Sequence, residues 1–320
     1  MIHPPASADN SWIAYGKEFH LIEKNRRFLT VNAFAEKPYG GNPAAVFTQA
    51  DGLPQELMQT IARQLNLVET VFVLSGEQKA DFHLRYFTPT AELPVAGHPT
   101  VAAWCALLHE GLIDVDKRNV FTQMNQAGKQ EIKVEKSKNR GKPIVTMKQP
   151  VPRFLDTPCT KAQAASVLDV SPDSIDDRLP IHAVDTGLGH LIIPMRSLDA
   201  LLSAKRQIEP LRELCKWNGV REAQLFCFET FDKTCQLHTR NLCPREGMED
   251  PACGVGNGAL TAYLSQYYRF ADNDFSLRIE QGTIIDRPSV VHTRAVKTKE
   301  EHKIFVGGSG IVMMEGHLLF

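Results

Sequence analysis

The chain carries seven cysteines but no Cys-x-x-Cys pair and no linear cluster of Cys and His at metal-ligand spacing. An odd number of thiols at irregular intervals excludes a disulfide framework and offers no structural zinc motif. It fits reduced, buried thiols in a cytoplasmic protein, with no metal expected. A basic excess is also missing: Lys plus Arg total 36 against 37 Asp plus Glu, a net charge of -1. Polyanion-binding surfaces normally show such an excess, so no nucleic-acid partner is expected. No apolar run approaches the roughly 20 residues a membrane helix needs, so no membrane partner is expected either. Residues 1–27 lack an apolar secretory core and read as a mixed, polar extension of the first domain. The 320 residues suffice for two domains of ordinary size.

What the chain does have is a repeat. His83-Leu84-Arg85-Tyr86-Phe87-Thr88-Pro89 matches His238-Thr239-Arg240-Asn241-Leu242-Cys243-Pro244, an offset of 155 residues (83 to 238). Pro94-Val95-Ala96-Gly97-His98 then matches Pro251-Ala252-Cys253-Gly254-Val255 at an offset of 157 (94 to 251). A helical run follows each glycine, predicted over 100–112 and 258–268. Both runs are apolar on most sides, so each helix is expected to be buried all round in the middle of its domain.

Strand signals surround them. In the first half they fall at 27–34, 44–48, 69–74, 81–87, 119–124, 130–134 and 144–147, with an amphipathic helix over 54–65. A Lys/Gly-rich turn is expected at 136–142. The second half repeats this order, with strands at 183–186, 191–194, 223–228, 234–240, 275–280 and 289–293 and helices at 198–204 and 210–217. The expected fold is mixed α/β, with two pseudo-twofold-related domains, each a curved sheet or barrel around a central helix. Boundaries are expected at 28–149 and 150–320, the C-terminal strand packing back on the first domain.

A helix N-terminus opened by glycine presents unpaired N–H groups and a partial positive charge. Gly97 and Gly254 each open one, and if the domains face each other both can hold a carboxylate. The alternative is that they only permit tight turns. Glu69 begins a strand, and its counterpart is Gln224, so the two halves differ chemically. A carboxylate in a cleft can act as acid and base in turn, or be an ordinary strand-end residue. His98 lies at the helix mouth and Asp250 precedes a proline, positions that suit substrate contact or simple capping. Cys253, directly before Gly254, has the setting that lowers a thiol pKa. Its counterpart is Ala96, which disfavours a symmetric two-thiol mechanism.

These residues resemble the phenazine-biosynthesis PhzF-like family of the diaminopimelate epimerase-like superfamily. The likeness runs from about Arg27 onward. It is carried by Gly41-Asn42-Pro43-Ala44-Ala45-Val46, Asn66-Leu67-Val68-Glu69-Thr70, Phe87-Thr88-Pro89, Glu92-Leu93-Pro94-Val95-Ala96-Gly97-His98-Pro99, Glu249-Asp250-Pro251-Ala252, Gln281-Gly282 and Arg287-Pro288-Ser289. The resemblance implies two barrels around central helices, usually a homodimer, and cofactor-free isomerase or epimerase chemistry on small carboxylate compounds. It places the acid/base Glu on Glu69, the His on His98 and the Asp on Asp250. Asn42, Gly97, Gly254, Val255 and His190 are the expected substrate contacts. Where the family often has Thr-Gly-Ser-Ala, this chain has Cys253-Gly254-Val255-Gly256, so a hydroxyl is lost at Val255 while its N–H remains. Ala252-Cys253-Gly254-x-Gly256 resembles instead the second thiol motif of amino-acid epimerases and proline racemases.

The expectation is therefore a metal- and pyridoxal-free isomerase moving a proton within a small carboxylate metabolite, with Cys253 as an auxiliary thiol or second base. Two alternatives stay open: a Glu/Cys two-base epimerase or racemase, and a non-catalytic scaffold that binds small molecules.

Overall fold

The computed structural model describes residues 25–76, 80–136, 142–244, 249–268, 270 and 272–319. The expected N-terminal extension up to residue 24, and residues 137–141 of the Lys/Gly-rich turn, lie outside the described residues.

In the first half the strands are β1 (Asn25–Ala33), β2 (Asn42–Phe47), β3 (Glu69–Ser75), β4 (Phe82–Phe87), β5 (Glu92–Leu93), β6 (Val120–Asn125), β7 (Gly128–Lys136) and β8 (Pro143–Lys148). Helix α1 (Gln55–Leu65) lies on the outside and α2 (His98–His109) at the centre. The second half contains β9 (Arg153–Leu155), β10 (His182–Asp185), β11 (Gly189–Pro194), β12 (Glu222–Cys227), β13 (Leu237–Leu242), β14 (Asp274–Gln281), β15 (Ser289–Lys297), β16 (His302–Gly308) and β17 (Gly310–Leu319). Its helices are α3 (Lys161–Leu168), α4 (Leu198–Ser203), α5 (Ile208–Trp217) and the central α6 (Gly254–Tyr267).

One series of pairings occurs twice. β1 runs antiparallel to β2, β2 parallel to β3, β3 antiparallel to β4, β4 parallel to β6, and β6, β7 and β8 follow as a meander. β10, β11, β12, β13, β14, β15 and β16 repeat that order of parallel and antiparallel steps. The equivalent strands β8 and β16 pair with each other and join the halves. The chain then exchanges its ends: β17 leaves β16 to pair with β1, and β9 leaves β8 to pair with β10.

Each curved sheet wraps one helix. α2 packs on β1, β2, β3, β8 and β17, and α6 on β10, β11, β12, β15 and β16. Residues 98–107 of α2 are all buried, with Trp104 donating its indole N–H to Gln123 at 2.7 Å. A helix without a polar face can fill such a barrel because it has no side to present to water. The second central helix begins four residues earlier than expected, at Gly254. Gly254, Gly256 and Gly258 look like a loop in sequence, but they are helical where space is shortest. A Cβ on Gly256 would lie 2.5 Å from Gln224 Oε1, and one on Gly258 would lie 3.0 Å from Val306 Cγ2.

Candidate active site

The loop before each central helix is fixed by one device used twice. Arg85 donates from Nε and Nη2 to the two carboxylate oxygens of Glu92, both at 2.7 Å. Arg240 makes the same fork to Glu249, at 3.0 and 2.9 Å. The repeated His-x-Arg motif thus supplies a planar guanidinium that clasps the segment leading to Gly97 or Gly254. The second clasp is buried, and its Nη1 also donates to the Leu201 and Ala204 carbonyls.

Helix α1 delivers Glu69. It ends at Asn66 in the left-handed region (φ 51°), and three residues later the chain enters β3. Glu69 is the first residue of that strand and pairs with Ala44 of β2, beside Asn42 and Pro43. His98 is the first residue of α2 and is buried. Its Nδ1 lies 4.0 Å from Glu69 Oε2, beyond hydrogen-bond reach. Burial pushes the His98 pKa down to about 3, opposed by a hydrogen bond to the Pro43 backbone. The imidazole is therefore neutral at ordinary pH, so the two are close neighbours rather than an ion pair, and His98 Nε2 has no hydrogen-bond partner among the described residues.

The two helix mouths approach each other. Gly97 caps α2 with no side-chain hydrogen bond, and a Cβ built on it would stand 4.0 Å from Val255 Cγ2 in the first turn of α6. Asp250 bridges the halves: its Oδ1 accepts from Asn42 Nδ2 at 3.0 Å and from the Ala252 N–H at 2.8 Å. Gln281 Nε2 donates to the Asp250 carbonyl at 2.8 Å. Glu69 and His98 therefore form one pair, Asn42 and Asp250 a second, and Gly97 and Val255 a third, around adjoining strand starts and helix mouths.

The matching place in the second half holds no carboxylate. Gln224 is fully buried, accepting from Asn241 Nδ2 and donating to Asn257 Oδ1 in a closed amide network with Gln281. A Cβ on Gly254 would meet Phe34 Cζ at 3.3 Å. That glycine serves close packing as well as the helix start.

One sequence expectation needs correction. The Cys253 thiol is pushed well up, not down: burial outweighs the helix terminus, and the nearby Asp250 and Glu222 add to it. A ligand cluster absent from the linear sequence is assembled by folding. His190, Glu222 and Cys253, all buried, bring one ligand atom each within 4.8 Å of one another. His190 has no exposed surface, and its nitrogens face the Leu188 carbonyl at 2.8 Å and Glu222 Oε2 at 3.1 Å. No spacing rule finds this trio, because His190 and Glu222 meet across parallel strands.

A groove of about 950 Å³ lies elsewhere, over the β8–β16 seam, lined by residues such as Lys133, Lys148, Arg278 and Lys303. Neither Glu69 nor His98 lines it.

The doubled barrels around central helices are the α/β diaminopimelate epimerase-like architecture, and the relatives that share it make this chain an isomerase. The sequence profile of the phenazine biosynthesis-like PhzC-PhzF proteins matches residues 31–316, and the chain belongs to that family. It is 31% identical to the uncharacterized isomerase YfhB of Bacillus subtilis over 290 residues, 90% of this chain and 97% of that one. It is equally 31% identical to the trans-2,3-dihydro-3-hydroxyanthranilate isomerase of Pseudomonas aeruginosa, over 91% of this chain and 98% of that one. The crystal structure of a Bacillus anthracis phenazine biosynthesis protein of the PhzF family superposes with a TM-score of 0.86 at 30% identity, over 93% of this chain and 100% of that one. A hydroxyproline epimerase from Agrobacterium vitis shares the fold, with a TM-score of 0.58 at 14% identity over 93% of each chain. Among the described residues no helix is long and apolar enough to cross a membrane.

Proposed function

We propose that this isomerase moves a proton within a small carboxylate-bearing metabolite, with Glu69 taking the proton and returning it on the same face. The observation that carries the reading is the placement of the Glu69 carboxyl 4.0 Å from His98, the first residue of a central helix whose mouth faces that of its twin. The uncapped N–H groups at Gly97 and the N–H of Val255 suit the substrate carboxylate. Neutral His98 can donate or accept one hydrogen bond at the reacting group without placing a charge there. Asn42 and Asp250 hold the two halves in register around it.

The chemistry at Glu69 needs no cofactor, since general acid–base transfer requires only a carboxyl group at hydrogen-bond distance from the moving proton. We also read the chain as an internal duplication working as a homodimer in the cytoplasm. The repeated pairings and arginine clasps support the first, the family resemblance the second, and seven cysteines outside any disulfide the third. Against the Glu/Cys two-base alternative stands the raised Cys253 thiol. Against the idle scaffold stands the joint placement of Glu69, His98 and Asp250.

The test is proton exchange. A panel of small carboxylates, including trans-2,3-dihydro-3-hydroxyanthranilate and 4-hydroxyproline, is screened by thermal shift and then by NMR in D2O. Deuterium incorporation by the wild type and none by Glu69→Gln is expected. Loss of exchange in Cys253→Ser for one stereoisomer only would move the assignment to the two-base alternative. Binding without exchange by the wild type would favour the scaffold.

A further inference from the structure

We propose that His190, Glu222 and Cys253 bind one divalent transition-metal ion of the zinc class, tying β11, β12 and the start of α6 together at a site that shares no ligand with the Glu69 cluster. The donor spacing is the first support. His190 Nε2 is 3.1 Å from Glu222 Oε2, and Cys253 Sγ is 3.7 Å from His190 Nε2 and 3.9 Å from Glu222 Oε2. A tetrahedral ion with bonds of about 2.0–2.3 Å keeps its ligand atoms roughly 3.3–3.6 Å apart, so the three atoms need to move by only a few tenths of an ångström.

The tautomer is the second support. His190 Nδ1 lies 2.8 Å from the Leu188 carbonyl, which can only accept, so Nδ1 carries a hydrogen. Nε2 is then aimed at a carboxylate oxygen, and a proton or a metal ion must stand between them. Metal-ligating histidines are held in this way, with the far nitrogen donating to a backbone carbonyl. The Gly256 N–H supplies the matching contact on sulfur, 3.3 Å from Cys253 Sγ, where it would favour a thiolate.

Charge balance is the third. A dication held by thiolate, carboxylate and neutral imidazole leaves the buried site with no net charge. Mixed sulfur, nitrogen and oxygen donors select zinc, cobalt or iron over calcium and magnesium, which take oxygen. Three protein ligands leave a fourth position for water or a small anion.

The test is titration of the full-length, chelator-treated protein with Co2+ alone. The expected result is a thiolate-to-cobalt charge-transfer band with the intense visible bands of a four-coordinate ion, saturating at one equivalent and abolished by one equivalent of Zn2+. Cys253→Ser keeps a good helix cap and should lose the charge-transfer band. Glu222→Gln should lower the affinity by roughly 100-fold or more, and it decides the matter should Cys253→Ser fail to fold. Glu69→Gln should bind cobalt like the wild type, which separates this site from the catalytic assignment. No stoichiometric binding by the wild type, or a charge-transfer band that persists in Cys253→Ser, would overturn the proposal.

Discussion

Glu69 and Gln224 hold matching places on β3 and β12, and exchange of an oxygen for an amide nitrogen separates the proposed proton carrier from a structural link. Gln224 spends its amide on Asn241 and Asn257, whereas Glu69 stands beside an imidazole whose Nε2 has no partner among the described residues. His98 gives a prediction with a definite sign. Its folded-state pKa, about 3, is below the ordinary value of 6.5, so the unfolded chain binds more protons between those limits. The His98 contribution to stability is complete above pH 6.5 and is lost as pH falls toward 3. His98→Gln should flatten that acid limb in urea melts, and the wild-type rate profile should show no inflection near 6.5 from this group. Gly97 gives another. Its φ of −80° suits any residue, and a Cβ added there would stand 4.0 Å from Val255 Cγ2. Gly97→Ala should melt within a few degrees of the wild type yet raise KM by about tenfold, because the methyl group fills the space between the helix mouths. Glu69, His98 and Asp250 were legible in sequence because each lies in a short motif. The partnership of Asp250 with Asn42, 208 residues away, was not. The Cys253 thiol was misjudged because local sequence shows the helix start but not the burial that outweighs it.

The arginine clasps carry the argument at the scale of elements. The repeat was plain in sequence, but its cause emerges only in the fold: each arginine reaches forward to a glutamate and fixes the entry to a central helix. The two copies differ in exposure, with the Arg240–Glu249 side chains 4% and 6% exposed and those of Arg85–Glu92 18% and 11%. Arg240→Ala should cost about 3–5 kcal/mol in urea unfolding, the range for stranding one member of a buried pair, and Arg85→Ala clearly less. Equal losses would mean that burial does not set the difference. The central helices themselves were legible from apolar runs without a polar face. The first turn of α6 was not, because glycine spacing in sequence resembles a loop until the neighbouring Gln224 and Val306 are in place. Helix α3, with a Thr160–Gln163 capping box, also escaped notice, since six small or polar residues open it and its apolar face is short.

The exchange of β9 and β17 makes the two halves one folding problem for the whole molecule. A fragment of residues 25–149 leaves β1 without its partner β17, an unpaired edge beside an apolar core. It should be soluble and structured only when co-expressed with residues 150–320, as judged by circular dichroism and gel filtration; a monomeric, cooperatively melting fragment would contradict this. Pairing order of this kind follows from long-range contacts, so the sequence suggested two barrels without revealing how their ends cross at the β8–β16 seam. In the assembled fold the two helix mouths approach each other, Gly97 facing Val255 and Glu69 beside His98. The most direct measurement is therefore solvent deuterium incorporation by wild type and Glu69→Gln, followed by NMR on whichever carboxylate of the panel the wild type turns over. Incorporation should fall by at least about 1,000-fold in the variant while its melting temperature stays within a few degrees. Incorporation at the wild-type rate would show that the proton moves through another group.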